Sequence, residues 1–354
     1  TKVLVTGLLF PWLIEANSST DEKHLARKIG TLLACNGLGG WLGAELTQGW
    51  LASTFGLWES VIVIGAVYLI LFGAIAVKPF RYVAKRNLLI FSSPALILFC
   101  AIIAARKLPQ ATLVQGERLV EVQVGREGVV ATVECGPGDW RMLFNNSYTL
   151  GGSKAQFNQE RQAHLPVLLR GNAKTIAVMG VATGGTVAGA ALHPDIERID
   201  AIELSPLVLK FAEKYFGSYN RNIFQDPKVH FYQADARWII SSHPKTYDVV
   251  VGDLFLPWRT GEGRLFSSEH FQAVRRTLKP GGLYCQWLPL FQLTRPQFES
   301  IVHTFKQVFP EACLVRGDFY GGMPILGLVG GRTVNQLNWP QIQKACARLQ
   351  QNEK

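Results

Sequence analysis

Two rhythms divide the chain. Val61 to Val77 contains no charged residue, nor does Leu88 to Ala105, and Ile29 to Phe55 is apolar apart from Glu45. Such runs approach the roughly 20 residues that span a hydrocarbon layer about 30 Å thick. Gly37, Gly39, Gly40 and Gly43 suit close helix packing in lipid. Residues 3–14 read as the end of a further helix, stopped at Pro11–Glu15. The pattern predicts a transmembrane region over 1–110, with about three helices and a partial first one. A signal peptide would be shorter and alone, and a chain opening at Thr1 inside an apolar run reads as a piece of a longer membrane protein. Glu45 is costly in lipid, so it is expected to face a protein interior or wet cavity, or to reach water at a helix end.

After Pro109 the period changes. Residues 118–125, 129–135 and 140–145 alternate apolar and polar positions between turns rich in glycine, predicting a small antiparallel sheet over 111–150. From 174 onward, strand-like runs near 175–180, 198–203, 228–233, 246–252, 281–287, 311–316 and 324–329 alternate with helical stretches near 184–192, 206–216, 266–278 and 294–308. That alternation argues for a parallel sheet with crossover helices over 151–333. Residues 334–354 read as one polar helix.

The net charge of +10 does not point to nucleic acid. Residues 1–110 hold 10 of the 36 Lys and Arg and 5 of the 26 Asp and Glu, leaving 26 and 21 for the rest, so each part carries +5. The first excess sits in short loops, Lys78, Arg81, Lys85 and Arg86, then Arg106 and Lys107, as on the cytoplasmic side of a membrane. The expected location is therefore a multi-pass membrane protein of the bacterial inner membrane, its globular part placed in the cytoplasm on chemical grounds. No basic stripe with interleaved aromatics marks a nucleic-acid partner. The six cysteines have no C-x-x-C spacing, which fits neither a disulfide framework nor a zinc site, and no metal is expected.

Ligands of open parallel sheets bind outside the carboxyl ends of the strands. There the sequence places Gly180, Gly184 and Gly185 in IAVMGVATGG, then Glu203, Asp235 and Asp253 at three successive strand ends. Glycines let a backbone approach a ligand and turn helix amides toward it. Glu203 is placed to accept from ribose hydroxyls, and Asp235, with Ala236 beside it, from an adenine amino group. The spacing from the glycine turn to Glu203 also fits NAD, but the further acids would crowd a pyrophosphate. A cationic sulfonium suits an acid-lined site better.

Residues 112–330 resemble the spermidine synthases, aminopropyltransferases that use decarboxylated S-adenosylmethionine. The resemblance runs through AQFNQERQAHLP (155–166), the glycine turn, the Glu203 strand, DAR (235–237), Asp253 and LKPGGLYCQW (278–287). With the apolar segments ahead, the chain resembles a membrane-fused branch of that family. The resemblance implies a Rossmann-like α/β domain of the S-adenosylmethionine-dependent methyltransferase type, preceded by the small antiparallel sheet and the helical transmembrane region. It implies decarboxylated S-adenosylmethionine or S-adenosylmethionine as co-substrate, Gln159 on a helix that closes over it, and Asp253 as the catalytic acid of the loop after the fourth strand. Three family positions depart: Thr183 stands for the aspartate that grips the aminopropyl ammonium, Leu256 for a second loop acid that holds the diamine, and Asn158 for a tyrosine.

An alkyl amine with a pKa of about 10.4 arrives protonated, so transfer needs a carboxylate to take its proton, and Asp253 is the retained candidate. Trp258 and Trp287 are read as an apolar wall of the acceptor site or as core, and His164 as structural. Three readings stay open: an alkyltransferase of aminopropyl type acting on a small amine, an S-adenosylmethionine-dependent methyltransferase, or an inactive structural subunit of a membrane complex. The expected partners are a lipid bilayer, a small amine, and a second copy or a membrane complex.

Overall fold

The computed structural model describes residues 22–77, 111–146, 148–259, 261–317, 323–331 and 339–352. The chain divides into two compact units, Thr1–Leu108 and Pro109–Lys354.

The described part of the first unit is helical. Helix α1 (Glu22–Glu45) runs into a π-helical turn, Leu46–Leu51, and a four-residue helix α2 (Ala52–Phe55). Gly56, at φ +87°, closes that path before helix α3 (Leu57–Val77). The expected transmembrane region is not found: among the described residues no helix is long and apolar enough to cross a membrane. The physical reason lies partly in how the helices break. The apolar stretch 29–55 passes through the π-helical turn and ends at Gly56, and the 24-residue α1 spends its first two turns on Glu22, Lys23, Arg27 and Lys28. Helix α3 carries Glu59 in its first turn. The multi-pass membrane location falls with that region, and the lipid bilayer as partner is not shown. Residues 3–14, the run 88–105 and the basic residues 78–86, 106 and 107 lie outside the described residues.

The second unit holds two sheets. Strands β1 (Arg118–Val124), β2 (Val129–Gly136), β3 (Asp139–Phe144) and β4 (Tyr148–Gly152) form an antiparallel meander in that order. Helix α4 (Gln156–Arg170) then leads into an alternating series. Its members are β5 (Thr175–Met179), α5 (Gly185–Ala191), β6 (Arg198–Glu203), α6 (Pro206–Phe216), β7 (Val229–Gln233), α7 (Ala236–Ser242) and β8 (Tyr247–Gly252). There follow α8 (Ser268–Thr277), β9 (Leu278–Pro289), α9 (Arg295–Val308), β10 (Cys313–Arg316), β11 (Ile325–Gly331) and α10 (Trp339–Asn352). The second sheet has the order β10-β11-β9-β8-β5-β6-β7. Strands β5 to β9 are parallel, whereas β11 and β10 are antiparallel additions at one edge. The chain therefore steps outward from β5 to β7 and returns to the other side of β5 with β8, a switch point that opens a crevice beyond Met179 and Gly252.

The central strands are apolar throughout because both their faces are covered. Ile176 and Val178 of β5 pack into one core cluster and Ala177 and Met179 into the other, so period-2 alternation sorts them between two layers of helices. The small sheet is fastened to the large one by α6, whose Val208, Phe211 and Phe216 bury against Val130, Met142 and Phe144.

Helix α4 contains an internal proline, Pro166, which removes the N–H that would bond to the carbonyl of Gln162. That carbonyl is satisfied from elsewhere: the fully buried indole of Trp287, on β9, donates to it at 3.0 Å. Trp287 is thus core rather than a wall of the site. Replacing it by phenylalanine leaves Gln162 with an unpaired buried acceptor, at a cost of about 1–3 kcal/mol. Pro166→Ala restores an N–H one turn on, so the cost of Trp287→Phe should shrink by about 1 kcal/mol in that background. Urea denaturation of the four proteins of this cycle measures the difference; equal costs in both backgrounds would refute the pairing.

Candidate active site

A cavity of about 600 Å³ opens at the carboxyl ends of β5, β6, β7 and β8, and the small sheet contributes Phe144, Tyr148 and Leu150 to its wall. Three strand ends are stitched together across the switch point. The Gly180 N–H donates to the carbonyl of Ile202 at 2.9 Å, and the Asp253 N–H to that of Met179 at 3.0 Å. Gly180 turns at φ +87°, and a Cβ there would stand 3.2 Å from Cβ of Asp253 and 3.3 Å from the Phe255 ring. The glycine lets the loop after β8 close in beside the turn.

Glu203 accepts from the backbone N–H groups of Ser205 (3.0 Å), Val181 (3.1 Å) and Ala182 (3.4 Å). Burial pushes its carboxyl above the usual carboxylate range, and those three N–H groups oppose the shift. Asp253 is pushed up to about 6, chiefly by burial and further by the charge of Glu203, while the Leu254 N–H at 2.7 Å and the Thr186 hydroxyl at 3.5 Å pull the other way. Asp235 differs from both. It caps α7 through the Arg237 N–H at 2.9 Å, and the Arg237 guanidinium at 2.5 Å lowers its pKa.

Gly180, Glu203, Asp235, Ala236, Asp253 and Gln159 all line the cavity, but Thr183, Gly184 and Gly185 do not. Ala182, in the left-handed region at φ +51°, faces the cavity, and the chain then turns away from it. Thr183 is 3% exposed and its hydroxyl donates to Oε1 of Gln159 at 2.9 Å. It is a strut beneath the turn. Gly184 begins α5 at φ +93°, and a Cβ on Gly185 would stand 2.6 Å from Cβ of Gln159, so these glycines serve packing against α4. Trp258 is exposed and donates to the carbonyl of Gln292, outside the cavity wall. His164 and His193 face one another at 3.0 Å. Leu256 is wholly buried, and its backbone N–H donates to the carboxylate of Glu262 at 2.7 Å.

Sequence reasoning missed Tyr148, Arg259, Glu262, Glu127 and Thr186. Tyr148 lines the cavity and donates to the Leu254 carbonyl at 3.2 Å; burial and the nearby Asp253 carboxylate raise its pKa. Arg259 lies with its guanidinium carbon 4.7 Å from the Phe144 ring centroid and 6.0 Å from that of Tyr148, paired with Glu262 at 3.0 Å. Glu127, in the β1–β2 turn, places one buried carboxylate oxygen without a hydrogen-bond partner in the wall. The cluster Pro257-Trp258-Arg259 to Glu262 just past a strand end was the available signal for Arg259 and Glu262. Nothing local distinguishes Glu127 from an ordinary turn acid. No group of His, Cys, Asp and Glu among the described residues could hold a metal ion.

An open, mostly parallel sheet with a glycine turn and acids at its switch point is an α/β domain with its crevice where such folds bind ligands. Residues 155–316 match the Spermine/spermidine synthase domain. The polyamine aminopropyltransferase of Klebsiella pneumoniae is 30% identical over 169 residues, 46% of this chain and 58% of that protein. That of Sodalis glossinidius is 31% identical over 125 residues, 35% of this chain and 43% of its own. The chain spans about half the length of the curated relatives it matches. A spermidine synthase crystallised with the transition-state analogue AdoDATO superposes with a TM-score of 0.56 at 21% identity, over 62% of this chain and 80% of that one. The Thermotoga maritima spermidine synthase gives 0.55 at 20%, over 62% and 79%. Residues 155–316 are thus similar to the spermidine synthase domain of polyamine aminopropyltransferases.

The raised pKa of Asp253 has a thermodynamic consequence. Near pH 4 the unfolded chain begins to ionise this aspartate while the folded protein keeps its proton, so folding stability falls as pH rises from about 4 to about 6. Above pH 6 both states are ionised and the full cost, about 3 kcal/mol, is present. Asp253→Asn should therefore be more stable than the parent at pH 8 by up to that amount and equal to it below pH 4. Chemical denaturation across this range reads the difference, and a pH-independent gap would contradict the buried-acid account.

Proposed function

We propose that this protein transfers an alkyl group, of aminopropyl type, from an S-adenosyl sulfonium donor to an amine. The observation that carries the reading is the presence of Glu203 and Asp253 in one cavity, at the ends of the two strands that flank β5, beside the Gly180 turn. Glu203 is placed to receive the ribose hydroxyls, and Asp235 and Ala236 flank the adenine end. Gly180 and Ala182 form the floor, with Gln159 above. Thr183, Gly184 and Gly185 act at one remove, by holding that floor against α4. A sulfonium is stabilised here because Glu203, Asp253 and Glu127 outnumber the cations that are not already in ion pairs with cavity acids.

The donor acts as co-substrate and no metal takes part. The acceptor nitrogen loses a proton to the Asp253 carboxylate and forms a bond to the carbon next to sulfur. The carbon–sulfur bond breaks and its electron pair stays on sulfur, so the donor leaves as a neutral thioether. Placing both reactants in one cavity supplies much of the rate. Methyl transfer from the same sulfonium is the second reading, favoured by the uncharged Thr183 turned out of the cavity.

The test is mass-spectrometric detection of 5′-methylthioadenosine and the alkylated amine after incubation with decarboxylated S-adenosylmethionine. Asp253→Asn should lower kcat by about 100-fold or more while 5′-methylthioadenosine binds within threefold of the parent. The parent's kcat/KM should rise with pH through about 6, as Asp253 becomes ionised. Glu203→Gln should instead weaken 5′-methylthioadenosine by about 10-fold or more, through loss of charge-assisted bonds to the ribose. Release of S-adenosylhomocysteine from S-adenosylmethionine would move the assignment to methyl transfer, and no product from either donor would end both.

A further inference from the structure

One end of the cavity is built around a cation, and this has a consequence for what the site accepts. Beyond Asp253 the wall is made by Phe144, Tyr148, Leu265 and the Arg259–Glu262 pair. Leu256, in the same loop, is wholly buried and offers the cavity nothing polar. The acids of the loop after β8 are thus Asp253 and Glu262, with Glu127 of the β1–β2 turn elsewhere in the wall, and Glu262 is already committed. Its Oε2 accepts the Leu256 N–H at 2.7 Å, and its Oε1 takes Nη1 of Arg259 at 3.0 Å. A second ammonium beside this loop would meet no uncommitted loop carboxylate other than Asp253 and would lie beside a guanidinium.

Arg259, by contrast, is held but not consumed. Glu262 engages it through Nη1, and the rings of Phe144 and Tyr148 lie against its face. Stacking fixes the plane of a guanidinium and leaves its edge donors pointing outward in that plane, where a carboxylate binds through two parallel N–H bonds. Its side chain is 19% exposed, toward a cavity it helps to line. The anchoring of Glu262 to the Leu256 backbone fixes the partner that positions Arg259.

We propose that Arg259 is a specificity-determining residue that binds a carboxylate carried by one of the two co-substrates, so that the site takes an amino-acid-like molecule in preference to its decarboxylated counterpart. The inference rests on the nucleoside reading of the cavity above. The carboxylate belongs either to the amine acceptor or to the methionine tail of the donor, and matched pairs that differ by that group separate the two.

Isothermal calorimetry on the full chain supplies the test. In one arm the protein saturated with 5′-methylthioadenosine is titrated with ornithine and with 1,4-diaminobutane. In the other, the ligand-free protein is titrated with S-adenosylmethionine and with its decarboxylated form. The carboxylated member of one pair should bind about 10-fold or more tightly, the range of a charge-assisted bidentate contact. Arg259→Gln should reduce that preference to within twofold, and Arg259→Lys should keep part of it. Both variants should hold 5′-methylthioadenosine within threefold of the parent, a control for folding and for the nucleoside end. A preference in the first arm assigns the carboxylate to the acceptor and in the second to the donor. No preference in either arm, or one that survives Arg259→Gln, overturns the proposal while leaving the nucleoside reading intact. Failure of the parent to bind 5′-methylthioadenosine would overturn both.

Discussion

Two carboxylates buried side by side are the constraint around which this domain is arranged. Glu203 and Asp253 end the strands on the two sides of β5, and the charge of Glu203 raises the cost of ionising Asp253. The fold offsets that cost with backbone rather than with cations. Three N–H groups address Glu203 and one addresses Asp253, all from residues next to the strand ends. Backbone donors can converge in this way if the turn after β5 has no side chain in the path, which Gly180 provides, and if it accepts a left-handed alanine at 182. A strained, glycine-opened turn is stable because the sheet beneath it is covered on both faces by helices. The Trp287–Gln162 bond shows the same economy, a core side chain standing in for a backbone donor that Pro166 removed.

Much of this was legible along the chain, for identifiable reasons. Strands buried on both faces write themselves as apolar runs, and acids at the ends of such runs stand out against them, so the sheet and the positions of Glu203, Asp235 and Asp253 could be read directly. The apolar stretch 29–55 was read as a membrane helix because run length records composition and not backbone geometry. The π-helical turn at Leu46–Leu51 and the break at Gly56 come from local backbone choices that a hydropathy count does not contain. The glycine turn shows the limit at finer scale. Residue type correctly marked 180–185 as special, but which of the six face the cavity depends on side-chain direction. Ala182 faces in and Thr183 faces α4, one residue apart. Tyr148 and Glu127 were beyond reach because their importance comes from two sheets meeting, a contact set by α6 packing on β2 and β3.

The two ends of the cavity are consequently built by different means. The nucleoside end is shaped by main-chain atoms at strand ends, where substitution of most side chains leaves the donors in place. The opposite end is shaped by side chains of one loop, 253–262, pressed against Phe144 and Tyr148. The Spermine/spermidine synthase match begins at residue 155, after β4, so the aromatic floor under Arg259 lies outside it while the whole nucleoside end lies inside. A backbone-made half resists change and a side-chain-made half admits it at little cost to the fold. Likeness to the family therefore speaks most directly for the chemistry at Glu203 and Asp253. The charges at the other end are those this chain sets with the side chains of Arg259, Glu262 and Glu127.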